Sequence, residues 1–97
     1  MNLRFHPAVQ SDVKQALGYF DQEGGSKLGD RFFVELVALL ARIVANPKRY
    51  GFFEDDIRRA SLRVFRYHLL YRIGPHGLRV LVLRHNRRNP RFGLARR

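Results

Sequence analysis

Two histidines lie among arginines in the second half of the chain, in a pattern suited to acid–base chemistry on RNA. His68 follows Arg66 by two residues, and His85 directly follows Arg84. Nearby positive charges disfavour protonation of an imidazole, so we expect a lowered histidine pKa here. A neutral imidazole can act as a base on RNA while arginines hold the phosphate. The other interpretation is a strand histidine with structural hydrogen bonds, and the residues alone leave both open.

Other catalytic and metal-binding motifs are absent from the sequence. It has no Gly-rich phosphate loop, no HExxH motif and no Cys/His cluster. The lack of cysteine excludes disulfides and thiolate zinc sites. We expect the acids Glu54, Asp55 and Asp56 to be solvated or to pair with Arg58 and Arg59, because adjacent carboxylates on a loop rarely converge on a cation. The sequence therefore predicts neither a metal nor a cofactor.

Positive charge is concentrated toward the C-terminus. Residues 1–56 carry seven Lys/Arg and eight Asp/Glu, whereas residues 57–97 carry twelve arginines and no acid. Arginine makes two-pronged contacts to phosphate and carboxylate, so this block predicts a polyanionic partner: nucleic acid, a ribonucleoprotein or an acidic protein segment. The candidate partner-binding residues are Arg59, Arg63, Arg66, Arg84, His85, Arg87, Arg88 and Arg91.

The length and hydropathy pattern predict one domain that spans residues 1–97 and does not enter a membrane. A chain of 97 residues suits a single modest core. The longest apolar stretch, residues 32–45, is interrupted by Glu35 and Arg42 and is too short to cross a bilayer. No apolar run near the N-terminus resembles a secretory signal. We therefore expect a soluble cytoplasmic protein.

Apolar spacing predicts two helices after a short first strand. Leu3 and Phe5 alternate with polar residues, and apolar residues then recur at helical spacing as far as Phe20. Gly24-Gly25 is expected to end this helix, with Ser26 as the N-cap of the next. Asn46-Pro47 is expected to end the second helix. The short link predicts an antiparallel helix hairpin.

The period then changes to that of strands. The predicted strands cover residues 59–65, 66–73 and 78–84, with a turn at Gly74-Pro75-His76-Gly77. Tyr67 and Tyr71 are expected on the core face of their strand, and Leu81 and Leu83 on the face opposite Val80 and Val82. The predicted order is β-α-α-β-β-β, an α/β (α+β) fold with an antiparallel sheet. We expect the helix hairpin to cover one sheet face and arginines to line the other, partly open face.

Four segments in this order resemble the RelE/ParE superfamily of bacterial toxins from type II toxin–antitoxin modules. They are "FHPAVQSDVKQALGYF", "LGDRFFVELVALLARIVANPKRYG", "IRRASLRVFRYHLLYRI" and "VLVLRHNRRNP". The resemblance spans nearly the whole chain. It implies a growth-inhibiting toxin of the kind linked to plasmid stabilisation, neutralised by a cognate antitoxin whose acidic or extended C-terminal segment wraps it.

The superfamily implies two different activities. RelE-like members cut messenger RNA on the ribosome, whereas ParE-like members inhibit DNA gyrase and are not nucleases. In a RelE-like interpretation His68 stands at an arginine position, Arg88 matches a late arginine, and Phe92 replaces a tyrosine that would transfer a proton. The "HNRRNP" block and the long helix hairpin look more like ParE, which favours a gyrase inhibitor. A messenger RNA endoribonuclease with catalytic His68 and Arg88, and a non-catalytic basic nucleic-acid-binding module, are the alternatives.

Overall fold

The computed structural model describes residues 2–97, in which a helix hairpin packs on a five-stranded sheet. The elements in chain order are β1 (Leu3–Phe5), α1 (Val9–Gly24), α2 (Ser26–Ala45), β2 (Phe52–Glu54), β3 (Ile57–Ser61), β4 (Tyr67–Gly74) and β5 (Gly77–His85). The strand order across the sheet is β1-β5-β4-β3-β2. The predicted fold class and helix hairpin are confirmed.

The sheet is mixed rather than wholly antiparallel. β2 to β5 form an antiparallel meander, but β1 runs parallel to β5, with Leu3 opposite Leu78 and Phe5 opposite Val80. A parallel neighbour requires a long crossover connection, and the chain between β1 and the rest of the sheet passes through both helices. The short edge strand β2 is an additional element that the sequence pattern did not predict.

Glycine shapes the connection between the two helices. Gly25 has φ +76° and donates its backbone N–H to the Asp21 carbonyl at 2.8 Å. Ser26 is the first helical residue, so its predicted N-cap role is wrong: Gly25 occupies that position and no side chain caps the helix. At Gly29 the helices approach closely, because a Cβ there would lie 2.1 Å from Asp21 Oδ1.

The main core lies between the helices and one face of the sheet. Helix α2 contributes Phe32, Leu36, Leu39 and Ile43, all buried. Tyr71 is fully buried in this core and Tyr67 packs against it, as predicted. The residues of this face repeat at helical spacing, so the apolar pattern of α2 accounts for its orientation on the sheet.

A bulge in β5 changes the predicted faces of that strand. Leu70 pairs with Val82 and Tyr71 pairs with Val80, which leaves Leu81 as an extra residue. Val80 and Leu83 therefore join the helix-side core, while Leu81 and Val82 pack on the opposite face. The prediction that Leu81 and Leu83 share a face is wrong, because one inserted residue shifts the alternation.

The opposite sheet face is covered rather than open. Residues 86–97, the C-terminal segment, fold into successive turns, with Phe92 N–H bonded to the Asn89 carbonyl at 2.9 Å. Phe92 and Leu94 pack on a second apolar cluster that contains Leu81 and Val82. Gly93 has φ +83°, and a Cβ there would lie 2.8 Å from Val82 Cβ. The prediction of an arginine-lined open face is therefore wrong, because the chain end supplies its own apolar cover.

Truncation of the α2 core should lower stability, whereas truncation of its exposed face should not. Leu36 is 4% exposed and Val34 is 67% exposed. We expect Leu36→Ala to reduce the free energy of unfolding by ~2–5 kcal/mol through lost burial and a residual cavity. Val34→Ala should change it by less than about 0.5 kcal/mol. Urea denaturation measures both, and equal stabilities would contradict this assignment of the helix face.

Candidate functional site

His68 lies in a buried polar network and is bonded through both ring nitrogens. It pairs with Arg84 across β4 and β5 and is 1% exposed. Arg84 Nε donates to His68 Nε2 at 2.9 Å, and His68 Nδ1 is 2.8 Å from Asn86 Oδ1. Because Nε2 accepts, Nδ1 carries the proton and donates to Asn86. The imidazole is therefore neutral, with no ring nitrogen left for a substrate.

The environment of His68 lowers its pKa from 6.5 to about 4. Burial is the largest cause, and the charges of Arg59 and Arg84 act in the same direction, while the hydrogen bond to Asn86 opposes them. The predicted direction of the pKa is therefore confirmed, although desolvation contributes more than the arginines that motivated it. The hydrogen bonds are those of a structural strand histidine.

Arg84 holds the C-terminal segment against the sheet. Its side chain is buried, and Nη1 donates to the backbone carbonyls of Asn89, Pro90 and Phe92 at 3.2, 2.8 and 2.9 Å. Its guanidinium also lies 5.0 Å from the ring centroid of Phe53. Burial lowers the pKa of Arg84. Arg84, a candidate partner-binding residue, and His68, a candidate catalytic residue, are both buried and thus not accessible to a partner.

A buried ion pair closes the free edge of β5. β1 pairs with β5 only as far as Val80, which leaves the next residues of β5 without a strand neighbour on that side. Asp12 Oδ2 accepts the Leu83 N–H at 3.2 Å, and Arg96 Nη1 donates to the Leu81 carbonyl at 3.0 Å. Asp12 and Arg96 bond to each other in a two-pronged pair at 2.6 and 3.1 Å. Side chains thus replace the missing strand.

Neither member of this pair was among the predicted functional residues. Asp12 lies three residues after Val9 and four before Ala16, both buried on the same face of α1. An acid within an apolar helical stripe indicates a buried partner. The partner, Arg96, is one of many arginines, so nothing in the sequence marks it.

Five of the predicted binding residues are exposed, and four of them have no acidic partner within residues 2–97. Arg63, Arg66, Arg87 and Arg88 are exposed, and none of them forms a salt bridge with an acid of residues 2–97. Arg88 lies 4.1 Å above the centroid of the Phe92 ring. These arginines belong to two neighbouring turns, joined by the Asn86 N–H bond to the Arg66 carbonyl at 2.9 Å.

The side chains of Arg59, His85 and Arg91 are partly buried or bonded to other residues of the protein. Arg91 pairs with Glu54 at 2.9 Å, and Arg59 is half-buried. His85 is half-buried beside the Tyr67 ring, with centroids 5.2 Å apart, and its Nδ1 accepts the Arg87 N–H at 3.0 Å.

The predicted partners of the acidic run differ from those observed. Asp56 pairs with Arg72 at 3.3 Å, and Glu54 with Arg91, in place of Arg58 and Arg59. Within residues 2–97 no group of histidines and acids has the arrangement of a metal site. No helix in this part of the chain is long and apolar enough to cross a membrane.

An apolar groove runs between the two helices beside β1. Its volume is about 980 Å³ and its lining includes Phe5, Val13, Leu17, Phe33, Val37 and Leu40. Phe33 and Val37 are 47% and 48% exposed, although both are large hydrophobic residues. Contiguous exposed apolar surface of this kind indicates a site for another macromolecule. The sequence signal was a second apolar stripe on α2 that includes Phe33 and Val37, but these residues were not among the predicted functional residues.

Comparisons with known proteins agree with this fold. A family model described as "ParE toxin of type II toxin-antitoxin system, parDE" matches residues 3–90. A solved structure described as "Chromosomal ParDE TA system from P. aeruginosa" is similar to this chain, with 15% sequence identity and a TM-score of 0.77. The similarity covers 88% of this chain and 95% of that one. No curated protein matches the chain closely enough to count as a relative.

The lowered pKa of His68 predicts a specific loss of stability in acid. The folded-state value of about 4 lies below the unfolded value of 6.5, so folding favours the neutral ring. The resulting contribution of His68 to the free energy of unfolding is complete above pH 6.5 and is lost as the pH falls through about 4. We expect it to amount to about 3 kcal/mol at most.

Urea denaturation of the wild type and of His68→Gln between pH 4 and 7 measures this contribution. The carboxylates titrate in both proteins, so the difference between them isolates His68. The wild type should lose more stability than the variant over this range, and parallel pH profiles would rule out the buried neutral histidine.

Because Arg96 pairs with Asp12, we expect Arg96 to contribute far more to the stability of the fold than its neighbour Arg97. We expect Arg96→Ala to lower the free energy of unfolding by ~3–5 kcal/mol, because it leaves Asp12 buried without a counter-charge. Arg97→Ala is the matched control, since its side chain is exposed, and should cost less than about 0.5 kcal/mol. Chemical denaturation of the two variants distinguishes them, and similar values would refute the role given to the pair.

Proposed function

Because the chain belongs to the ParE toxin family of type II toxin–antitoxin systems, we propose that it arrests growth by inhibiting DNA gyrase. The observation that supports this activity most is the family match over residues 3–90. A cognate antitoxin would neutralise the toxin, and both would act in the cytoplasm, where gyrase is found. No catalytic residue is required for this function, since the toxin acts by binding.

The alternative of a messenger RNA endoribonuclease has less support. Cleavage of RNA needs a group that removes a proton from the attacking hydroxyl and another that protonates the leaving oxygen. Both ring nitrogens of His68 are bonded within the protein, and Phe92 has no proton to transfer. Arg88 stacks on Phe92 and supplies positive charge but no base.

The apolar groove between α1 and α2 suits the antitoxin. An amphipathic helix can place apolar side chains against Phe33, Val37 and Leu40. Burial of the groove would also remove the exposed apolar surface from water, which favours tight binding.

A direct test uses purified toxin in two assays. In a gyrase supercoiling assay, the toxin should block supercoiling of relaxed plasmid, and added antitoxin should restore it. In a translating bacterial extract, primer extension on a reporter messenger RNA should give no new 5′ ends. Codon-phased, ribosome-dependent ends with unaffected gyrase would replace this proposal with the nuclease.

A plain nucleic-acid-binding module is the third function to distinguish. It would bind any RNA or DNA with an affinity that falls steeply with salt. It would not arrest growth at low expression or be rescued by an antitoxin. Neutralisation by an antitoxin therefore separates a toxin from a simple binder of polyanions.

Removal of two exposed arginines should relieve toxicity without unfolding the protein. Arg87 and Arg88 are exposed, and neither is bonded to an acid. We expect the Arg87→Ala/Arg88→Ala variant to lose growth arrest, because it removes two charges from the partner-facing turn. Its free energy of unfolding should fall by only about 1 kcal/mol, mainly from the lost Arg88–Phe92 contact. Growth on induction and urea denaturation measure the two effects, and full toxicity would exclude this turn from the working surface.

A further inference from the structure

The loop between β3 and β4, residues 62–66, is held rigidly although it lies at the surface. Glu35 on α2 accepts the backbone N–H of Val64 at 3.1 Å through Oε1 and that of Arg63 through Oε2. At the base of the loop, the Leu62 N–H bonds to the Tyr67 carbonyl at 2.9 Å. A carboxylate that binds two successive backbone N–H groups fixes the path of the chain between them.

The inner side of this loop is anchored in the main core. The Phe65 ring packs edge-on against Phe20 and Phe32, with centroids 4.9 and 5.2 Å away. The loop is thus attached to both helices as well as to the two strands it connects. Its conformation is set before any partner binds, so little entropy remains to be lost on docking.

The outer side of the loop presents one apolar residue between two arginines. Val64 is 69% exposed, the most exposed of the large hydrophobic residues in residues 2–97. Arg63 and Arg66 are exposed on either side. The Asn86 N–H bond to the Arg66 carbonyl places the turn with Arg87 and Arg88 next to the loop.

This surface carries four positive charges and no local counter-charge. None of its four guanidinium groups pairs with an acid of residues 2–97. Glu35, the acid that contacts the loop, uses both oxygens to bind backbone N–H groups. The surface is therefore complementary to a negatively charged partner with an apolar point of contact.

The apolar groove and this loop lie on opposite flanks of α2. Glu35 is two residues from both Phe33 and Val37, which turns its side chain by about 200° from theirs on an α-helix. Phe33 and Val37 line the groove, whereas Glu35 faces the loop. A segment bound in the groove therefore need not cover the loop.

We propose that the 62–66 loop, together with Arg87 and Arg88, is the surface that docks on an acidic patch of the toxin's target protein. This inference rests on the proposed function, because it assigns that target a place on the toxin. The Val64 side chain packs against an apolar residue of the target, while the exposed arginines of this surface pair with the carboxylates around it. A protein fits better than a nucleic acid, since Phe65 is packed inward and no aromatic ring of the loop is free to stack on a base.

The test compares two valines of nearly equal exposure. Val64→Asp puts a negative charge at the centre of the proposed surface, and Val34→Asp puts the same charge on α2, where the side chain is 67% exposed. Neither change opens a cavity, and thermal unfolding verifies that both variants fold. Growth arrest, inhibition of gyrase and binding of the antitoxin are then measured for each.

We expect Val64→Asp to weaken growth arrest and gyrase inhibition by at least about tenfold, as central interface residues do. Val34→Asp should match the wild type, and both variants should bind the antitoxin within about twofold of it. Equal toxicity of the two variants would overturn the proposal. So would weaker antitoxin binding by Val64→Asp, because the loop would then belong to the antitoxin interface.

The design separates this proposal from that of the gyrase target. If the wild type arrests growth but leaves gyrase active, the gyrase proposal fails, and growth arrest by the two variants still decides whether the loop contacts the target. A loss of affinity for a DNA or RNA oligonucleotide that parallels the loss of toxicity would identify a nucleic acid instead. A wild type that arrests no growth would overturn both proposals.

Discussion

The buried ion pair between Asp12 and Arg96 joins the first helix, the free edge of β5 and the last residues of the chain. Burial of two charges carries a desolvation cost that is offset only when further hydrogen bonds satisfy the remaining donors and acceptors. Here Leu83 N–H and the Leu81 carbonyl do so. The same contacts cap an exposed strand edge, which would otherwise be open to pairing with another chain. The position of α1 on the sheet and the course of the C-terminal segment both depend on this pair.

The arginines of residues 57–97 have two different roles. Arg84 is buried and Arg96 is partly buried, and both build the structure, one by holding backbone carbonyls and the other by pairing with Asp12. Arg63 and Arg66 are exposed, as are the arginines of the neighbouring turn, and these remain for a partner. The surface that we propose for a partner is thus smaller than the positive block suggests. Its charges are concentrated in two turns that a backbone hydrogen bond joins.

Helix α2 separates two surfaces of different chemistry. One flank borders an apolar groove through Phe33 and Val37, and the other holds a basic loop through Glu35. A toxin must bind both an inhibitor and a target. Two separate surfaces allow a mutation to weaken binding to one of them without affecting the other. The apolar groove suits a partner that stays bound, whereas the rigid charged loop favours fast, orientation-specific docking.

The sequence by itself determined the helix hairpin and the meander, because helical periodicity, Gly and Pro signals and short turns are local properties. The family was indicated by the resemblance of four segments in order, and a family model matches residues 3–90. The sequence also indicated the direction of the His68 pKa. Only the tertiary structure decided which arginines are buried, how β1 pairs, and that the C-terminal segment covers the second sheet face. The bulge at Leu81 shows why these features could not be predicted. One extra residue exchanges the two faces of β5, and the position of the bulge depends on the pairing of β5 with β4. Such contacts between distant residues leave no periodic signal in the chain.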